Sequence, residues 1–242
     1  MGVKEINVEN IYTIPINEVL EEVAENPSLG CPVCRIMARL EENELDLILG
    51  ASMMEPDIRI RTNREGFCRD HYDKMLTMGN RLSFSLMMES HLDEVKKGLE
   101  GSLLTAILGK KHEAAGKYMD KMRASCYICG KVETHLSRML SNLAALYHAD
   151  ETFRKKYAAQ PYFCIPHARA LLECAKKEMA GKELAAFSDV TMQIEHRYLD
   201  SLREDVSWFC KKNDYRYQDE PWGNAKDAPI RAAAFLTGKA ED

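Results

Sequence analysis

The sequence predicts an all-α protein built from two tandem pseudo-symmetric helical repeats, each stapled by one metal site of three cysteines and one histidine. Three observations predict this architecture. A Cys-x-x-Cys pair occurs twice, and a Cys-x-x-His pair follows each copy at nearly the same distance. Apolar residues between the pairs recur at spacings of three and four, the helical period. The sequence contains no run of alternating β-branched residues bounded by turns, so it predicts no strand.

Composition and charge exclude several classes of protein. The chain has 242 residues, of which 45% are hydrophobic and 29% charged, as is usual for globular proteins. The formal net charge of −5 disfavours a general nucleic-acid binder, which usually carries an excess of Lys and Arg. The polar, partly acidic start is unlike an export signal, and no stretch is long and apolar enough to span a membrane. We therefore expect a cytoplasmic protein, in which eight cysteines indicate metal or redox chemistry more than disulfides.

An internal repeat sets the expected domain organisation. The pair Cys31–Cys34 recurs 95 residues later as Cys126–Cys129, and Phe67–His71 recurs 96 residues later as Phe163–His167. A repeat of this kind indicates two units of shared fold. The predicted organisation is an N-terminal arm at 1–29, repeat one at 30–112, repeat two at 113–212, and a C-terminal aromatic loop and helix at 213–242 that pack on the repeats.

The helices are predicted in the same order in both repeats. The arm carries a short helix at Asn17–Ala24. Each Cys-x-x-Cys pair opens an amphipathic helix of about five turns, which is followed by a shorter helical segment, Pro56–Asn63 in repeat one and Asp150–Ala158 in repeat two. Each Cys-x-x-His pair then starts another helix, and a long amphipathic helix follows it. In the tail, Asp227 is a plausible N-cap and Gly238 a plausible stop for a last short helix.

The paired cysteines and histidines have the residue types and spacing of zinc ligands. Thiolate and imidazole are common ligands of four-coordinate structural zinc, and a spacing of three at a helix start puts two side chains on one side of the first turn. The helix N-terminus also favours the thiolate form. One predicted set is Cys31, Cys34, Cys68 and His71, and the other is Cys126, Cys129, Cys164 and His167.

The number and type of the ligands bear on the role of the sites and on the identity of the metal. Four protein ligands leave no position for water or substrate, which favours a structural site over a catalytic one. We prefer zinc, at two ions per chain, with an iron–sulfur cluster as the alternative because thiolate-rich sites suit both. Buried thiols without a metal would not explain two histidines in register.

Other residues form a possible ligand surface. Tyr215, Tyr217 and Trp222 lie close together in the tail and could stack on a ligand, although a loop that packs on the helices and closes the core is the plainer interpretation. Arg61 and Arg154 belong to basic groups that precede the Cys-x-x-His pair in each repeat. These groups could bind an anion, or they could be a solvated face that balances the charge of the metal site.

Two histidines outside the motifs, His91 and His196, lie in the predicted long helices near acidic residues. A carboxylate-bridged di-metal site expects a Glu-x-x-His spacing, which is absent here, so we expect packed or hydrogen-bonded histidines. An enzyme with a site in the cleft between the repeats, lined by Trp222, His91 or His196, is the weaker alternative.

Several segments together resemble a bacterial family of uncharacterised proteins found chiefly in anaerobic Gram-positive species. The resemblance covers nearly the whole chain and includes all eight ligand positions. It implies little about function. The segments that carry it are IYTIPINE at Ile11–Glu18, CPVC, GFCRDH, CYICGKVE, QPYFCIPHARALL, and PWGNAKDAPIRAAAFLTG in the tail.

The sequence therefore favours a cytoplasmic zinc-binding protein that acts as a binding or scaffolding module. Closed ligand sets and the absence of a nucleophile–base constellation disfavour an enzyme. A thiol-based redox sensor that releases zinc on oxidation is the alternative. The expected partner is a protein or a small ligand, and nucleic acid and membrane are not expected.

Overall fold

The computed structural model describes residues 8–101 and 111–238, and over these ranges the chain forms α-helices and short 3-10 helices with no strand. The predicted all-α class is confirmed. None of the helices in these ranges combines the length and the apolar character needed to cross a membrane. The helices are α1 Asn10–Glu25, α2 Pro32–Leu49, α3 Pro56–Glu65, α4 Arg69–Thr77, α5 Arg81–Glu100, α6 Lys111–Arg123, α7 Tyr127–Ala149, α8 Glu151–Ala158, α9 Ile165–Glu178, α10 Gly181–Lys211 and α11 Ala228–Thr237.

The chain divides into two compact units whose bounds differ from those of the sequence repeat. Unit 1 contains Met1–Ala38 and Leu136–Asp242, and unit 2 contains Arg39–His135. The bounds fall inside α2 and α7, so each of these helices contributes residues to both units. The tandem bounds at 30–112 and 113–212 stay a prediction about the sequence repeat.

Unit 1 is built around a cluster of aromatic side chains. The ring of Tyr157 stacks on that of Phe163 at a centroid distance of 4.9 Å and lies 5.1 Å from that of Phe187. Tyr147 contacts Phe187 edge-on at 4.8 Å. The hydroxyl of Tyr157 lies 2.8 Å from that of Thr191, so the buried polar atom has a partner. This core joins α7, α8 and α10 beside the segment that leads into the second Cys-x-x-His pair.

Unit 2 has a smaller core in which α5 packs mainly against α3 and α6. Phe67 contacts Tyr72 at 5.6 Å and Tyr127 at 6.3 Å, and Tyr72 contacts Phe84 at 6.1 Å, all edge-on. His91 of α5 is buried, and its Nδ1 donates to the carbonyl of Asn63 at 2.8 Å. The expectation of a hydrogen-bonded histidine holds for this residue.

The described parts of the arm and the tail each contain an α-helix of unit 1. The arm helix α1 begins seven residues earlier than predicted and buries Ile16, Val19, Leu20 and Val23. The tail helix α11 runs between the predicted N-cap Asp227 and the predicted stop Gly238, which has φ +76°.

Lys212, at the end of α10, fixes the loop that precedes α11 through hydrogen bonds. It is buried, and its Nζ donates to the carbonyls of Tyr217, Gln218 and Glu220 at 2.6, 2.8 and 2.7 Å. A buried ammonium is stable only when its protons have acceptors, and three carbonyls match its three protons. These three hydrogen bonds hold the loop against the end of α10, and the packing of the whole tail on the repeats stays a prediction.

Candidate metal centres

Each of the four motifs occupies the same place at the start of a helix. The first cysteine directly precedes the helix, and the second ligand is the third helical residue, as for Cys68 and His71 before and within α4. The carbonyl of each first cysteine accepts the backbone hydrogen bond of the residue four positions later, at 2.8 to 3.1 Å. The predicted geometry of paired ligands on the first turn is therefore present in all four motifs. Four motifs give two pairs of helix starts.

One group of ligands, the Cys31 site, contains Cys31, Cys34, Cys164 and His167 and joins the starts of α2 and α9. The Nδ1 atom of His167 lies 3.0 Å from Sγ of Cys164, 3.3 Å from Sγ of Cys34 and 3.7 Å from Sγ of Cys31. The Sγ atoms of Cys34 and Cys164 are 3.6 Å apart. All four side chains are buried.

The other group, the Cys68 site, contains Cys68, His71, Cys126 and Cys129 and joins the starts of α4 and α7. The Nδ1 atom of His71 lies 3.0 Å from Sγ of Cys68, 3.3 Å from Sγ of Cys126 and 3.6 Å from Sγ of Cys129. The Sγ atoms of Cys68 and Cys129 are 3.9 Å apart. Here His71 is buried, Cys68 and Cys126 are half-buried, and Cys129 is exposed.

These distances fit one tetrahedral ion in each group. Zinc binds thiolate at about 2.3 Å and imidazole at about 2.0 Å, so tetrahedral coordination places neighbouring donor atoms roughly 3.5 to 3.8 Å apart. The separations given above, 3.0 to 3.9 Å, bracket this range, and all four donor atoms of each group lie within 4.8 Å of one another. Ligands of a polynuclear iron–sulfur cluster bind different irons and stand farther apart. Both groups can therefore hold a single metal ion.

The assignment of ligands to sites corrects the sequence prediction. The eight predicted residues form the two groups, but each Cys-x-x-Cys pair meets the Cys-x-x-His pair of the other repeat. Helix lengths explain the exchange. At 1.5 Å per residue, the 18 residues of α2 extend about 27 Å, whereas the 10 residues of α3 extend only about 15 Å. The chain does not return to the start of α2 before Cys68, and α7 and α8 repeat the same mismatch.

Each group contains one thiol with a lowered pKa, whereas contacts with neighbouring thiols raise the pKa of Cys34 and burial raises those of Cys68 and Cys129. Contacts with the thiols of Cys31 and Cys34 lower the pKa of Cys164 to about 4, although burial opposes this. At the Cys68 site, burial alone would raise the pKa of Cys126, but the hydrogen bond with His71 and those from the backbone lower it to about 6. The positive ends of the two helices at each site favour negative charge in the same way.

A carboxylate orients the histidine of the Cys68 site. The Nε2 atom of His71 lies 2.8 Å from Oε1 of Glu41, and the other carboxylate oxygen accepts from Nζ of Lys74 at 2.7 Å. Since Nε2 lies beside Glu41 and Nδ1 lies among the sulfurs, Nδ1 is the atom of His71 placed to bind an ion. A carboxylate behind the histidine is the usual outer partner of a zinc-bound imidazole. Sequence periodicity gave no signal for Glu41, which lies in the middle of α2.

Hydrogen bonds to two backbone carbonyls bring together the two segments of the Cys68 site. The N–H of Tyr127 donates to the carbonyl of Gly66 at 2.9 Å, and the hydroxyl of Ser125 donates to that of Glu65 at 2.7 Å. Gly66 has φ +61°, and a Cβ there would lie 3.0 Å from Nε2 of His91. Only glycine satisfies both conditions easily, which explains the Gly-Phe-Cys order of the motif.

The C-terminal helix covers the Cys31 site. The carbonyl oxygen of Gly238, at the end of α11, lies 3.2 Å from Sγ of Cys34. A Cβ at Gly238 would lie 3.1 Å from Sγ of Cys164. On the side of α9, the N–H of Phe163 donates to Oε1 of Glu195 at 3.0 Å and fixes the chain just before Cys164. The Cys68 site has no helix end of this kind against its sulfurs within the described residues.

Four of the five residues of the possible ligand surface have local side-chain contacts, and Tyr215 is exposed. Arg61 belongs to unit 2 and lies over the ring of Tyr127 at 5.0 Å, while the other four belong to unit 1. Arg154 donates to the last carbonyls of α7 at 2.8 and 2.6 Å and thus caps that helix. Tyr217 contacts Trp208 at 5.8 Å, Trp222 contacts Phe209 at 5.7 Å, and Tyr215 is 80% exposed. A shared ligand surface stays a prediction.

His196 differs from His91. It is an exposed residue of α10 and lies on the rim of a cavity in unit 1.

Comparison with known proteins identifies a family without a described activity. Residues 8–242 match a family of unknown function (DUF6062). The chain is also similar to an uncharacterised 23.9 kDa protein encoded in the xynA 3' region of Caldicellulosiruptor sp. (strain Rt8B.4), with 22% identity over 186 residues, 77% of this chain and 83% of the relative. No solved structure matches.

Proposed function

This chain belongs to the family of unknown function DUF6062, and we propose that its two Cys3His groups are structural zinc sites that hold together a binding or scaffolding module. The observation that carries the proposal is the placement of three thiols and one imidazole within 4.8 Å of one another in each group. Three thiolates and one imidazole are a common ligand set of structural zinc, and four protein ligands close the coordination sphere. A closed site supports a structural role over a catalytic one.

The energetics support the same role. Each site connects helix starts that are far apart in sequence, by 130 to 136 residues at the Cys31 site and 55 to 61 at the Cys68 site. Binding an ion that is absent from the unfolded chain stabilises the fold by the binding free energy, about 10 to 16 kcal/mol in zinc-finger peptides. A Cys3His site with zinc carries a net charge of −1, which the helix N-termini offset.

Metal analysis tests the proposal. Protein purified without added metal should contain about two zinc ions per chain by mass spectrometry, one for each group. Chelation should then release zinc and reduce helicity together. Metal content near zero, or a brown iron chromophore, would contradict the zinc sites. Zinc loss without any change in helicity would contradict the structural role.

A second candidate function, a thiol-based redox sensor, is favoured by the exposure of the Cys68 site. Cys129 is exposed there and Cys68 and Cys126 are half-buried, so an oxidant can reach the sulfurs. Hydrogen peroxide would accept two electrons from the thiolates of Cys126 and Cys129 and take up two protons. The products are one disulfide, two water molecules and the released zinc ion.

Titration with peroxide separates the two functions. A sensor should release one zinc ion per chain at low peroxide and recover it after a thiol reductant and zinc are added. The variant Cys210→Ser serves as a control, because Cys210 is exposed but belongs to neither group. If both zinc ions are retained at a peroxide concentration that oxidises Cys210, the redox-sensor function is excluded and the structural role remains.

A further inference from the structure

A cavity of about 450 Å³ lies between α9 and α10 in unit 1, with Phe235 of α11 in its wall. Its lining residues recur every three or four positions on both helices, so the cavity follows the groove between them. The size falls in the usual range of small-molecule sites, roughly 300 to 1,000 Å³. The cavity lies outside both metal groups, because none of their eight residues lines it.

The wall of this cavity is mostly apolar, and its apolar side chains reach the surface. Ile165 of α9 and Met192 and Leu199 of α10 line it and are 47%, 37% and 45% exposed. Along α9 the lining runs from Ile165 to Lys176, a length of about 16 Å at 1.5 Å per residue. Covering such a surface with hydrocarbon is favourable by about 25 cal/mol per Å². The groove therefore suits an elongated apolar group.

Arg169, one turn from the start of α9, places a positive charge on the rim of this groove. It lines the cavity and is exposed. Within the described residues, its guanidinium group has no carboxylate partner. The hydrogen bond with Lys176, and to a smaller extent the charge of Arg169, lower the pKa of Glu173, so Arg169 lies near this part of the rim. Its guanidinium group is available to an anion that enters the groove.

The other ionisable residues of the cavity leave the rim positive. Glu173 and Lys176 pair with each other at 2.7 Å, so their charges offset, and His196 can add only positive charge. Glu195 is 6% exposed and its Oε1 accepts from the N–H of Phe163 at 3.0 Å, so it belongs to the wall and not to the rim. Burial raises the pKa of Glu195 to about 7, so this group carries less than a full negative charge near neutral pH.

We propose that this groove binds a medium-chain fatty acid, whose hydrocarbon chain lies between α9 and α10 and whose carboxylate pairs with Arg169 on the rim. The planar guanidinium group donates two parallel hydrogen bonds to a carboxylate and carries the opposite charge. An alcohol of the same length would keep the apolar contacts but lose the charge. An amine would bring a like charge to Arg169. The site is separate from the Cys3His groups and does not depend on which metal they hold.

The test uses the full-length, metal-containing protein and octanoate as the probe, at concentrations below those at which octanoate forms micelles. Protein labelled with ¹³C in the methionine methyl groups reports binding through Met192, which lines the cavity, and the variant Met192→Leu assigns its signal. We expect a saturable shift of that signal with octanoate, affinity about fivefold or more lower for octanol, and the weakest binding for octylamine.

Variants of Arg169 separate the charge from the apolar contacts. Arg169→Gln should weaken octanoate by about fivefold or more and leave octanol unchanged, because only the anion uses the charge. Arg169→Glu reverses the charge and should make octylamine a better ligand than octanoate. The matched control is Arg203→Gln, which changes an exposed arginine of α10 that does not line the cavity and should bind octanoate normally.

A variant of the groove itself tests the apolar contacts. Ser188 lines the cavity from α10, so Ser188→Trp should fill the groove and abolish binding of octanoate and octanol while Arg169 stays in place. Zinc content and helicity, measured on each variant, show whether the fold is retained.

Four results would overturn the proposal. The first three are no saturable shift of the Met192 signal with octanoate, equal affinity of the protein and its Arg169→Gln variant, and equal affinity for octanoate and octylamine. The fourth is a Met192 signal that changes with protein concentration in the absence of octanoate, which would assign the groove to a second copy of this chain.

Discussion

The Cys31 site and the Cys68 site have the same donors and the same helix-start geometry, yet their surroundings differ. All four ligands of the Cys31 site are buried and the end of α11 lies against its sulfurs. Three of the four ligands of the Cys68 site are half-buried or exposed, and its histidine is held by Glu41. The same motifs therefore bring together the same donor atoms in both sites, whereas the packing around them determines how exposed those atoms are.

The largest difference should appear when one ligand is removed from each site. Cys164→Ser should destabilise the protein more than Cys126→Ser, because the Cys31 site is buried and closes the longer loop. Loop closure alone favours it by about 0.7 kcal/mol, for links of 130 to 136 against 55 to 61 residues. Thermal unfolding followed by circular dichroism, with zinc content measured in parallel, gives both quantities.

Cys210→Ser is the matched control, since it removes an exposed thiol outside both groups. Equal losses for the two ligand variants would show that burial and loop length do not distinguish the sites. The same measurement checks the ligand exchange, because Cys34→Ser should affect the site that contains His167.

A smaller effect on metal affinity is expected from Glu41, which contacts the ligand His71 and is not itself a ligand. Glu41→Gln removes the negative charge that orients Nε2–H of His71, and losses of an outer partner typically lower metal affinity 10- to 100-fold. Competition with a chromophoric chelator should show weaker binding at one of the two sites only. Glu42→Gln changes an exposed carboxylate on the same helix and should leave both affinities unchanged. If Glu41→Gln lowers the metal affinity of both sites, or of neither, then Glu41 does not specifically support the Cys68 site.

The smallest expected effect concerns the helix end over the Cys31 site. Gly238→Ala adds a Cβ at φ +76° and 3.1 Å from Sγ of Cys164, so it should cost about 1 kcal/mol or more and speed zinc release from that site. Gly223→Ala has a similar φ of +56° but no atom within 4 Å, so it isolates the backbone cost. Release rates that match in the two variants would mean that α11 does not protect the site.

Much of the fold and all eight residues of the two Cys3His groups could be predicted because both depend on local patterns. The helical period and the placement of the ligand pairs at helix starts need only neighbouring residues. The pairing of the motifs depends instead on where the chain goes between them. The helix that each Cys-x-x-Cys pair opens was predicted to have about five turns and the next helix about two, so the difference in length was already present in the prediction. The similarity in sequence between the repeats nevertheless suggested that the motifs pair within a repeat.

Other features had no local signal at all. Glu41 and Glu195 are ordinary helical glutamates in the sequence, and their roles arise from packing between elements distant along the chain. Gly238 was predicted only as a helix stop. Its position against the sulfurs of the Cys31 site depends on the tertiary placement of α11.

The exchange of ligands between the repeats has a consequence for any protein that holds one repeat per chain. Such a chain would carry one Cys-x-x-Cys pair and one Cys-x-x-His pair that face different partners, as Cys31 and Cys68 do here. It could complete its metal sites only with a second copy, as a symmetric dimer with two shared ions. The present chain carries both copies of each pair in one polypeptide, and a fragment cut between the repeats would hold two half-sites and no complete one.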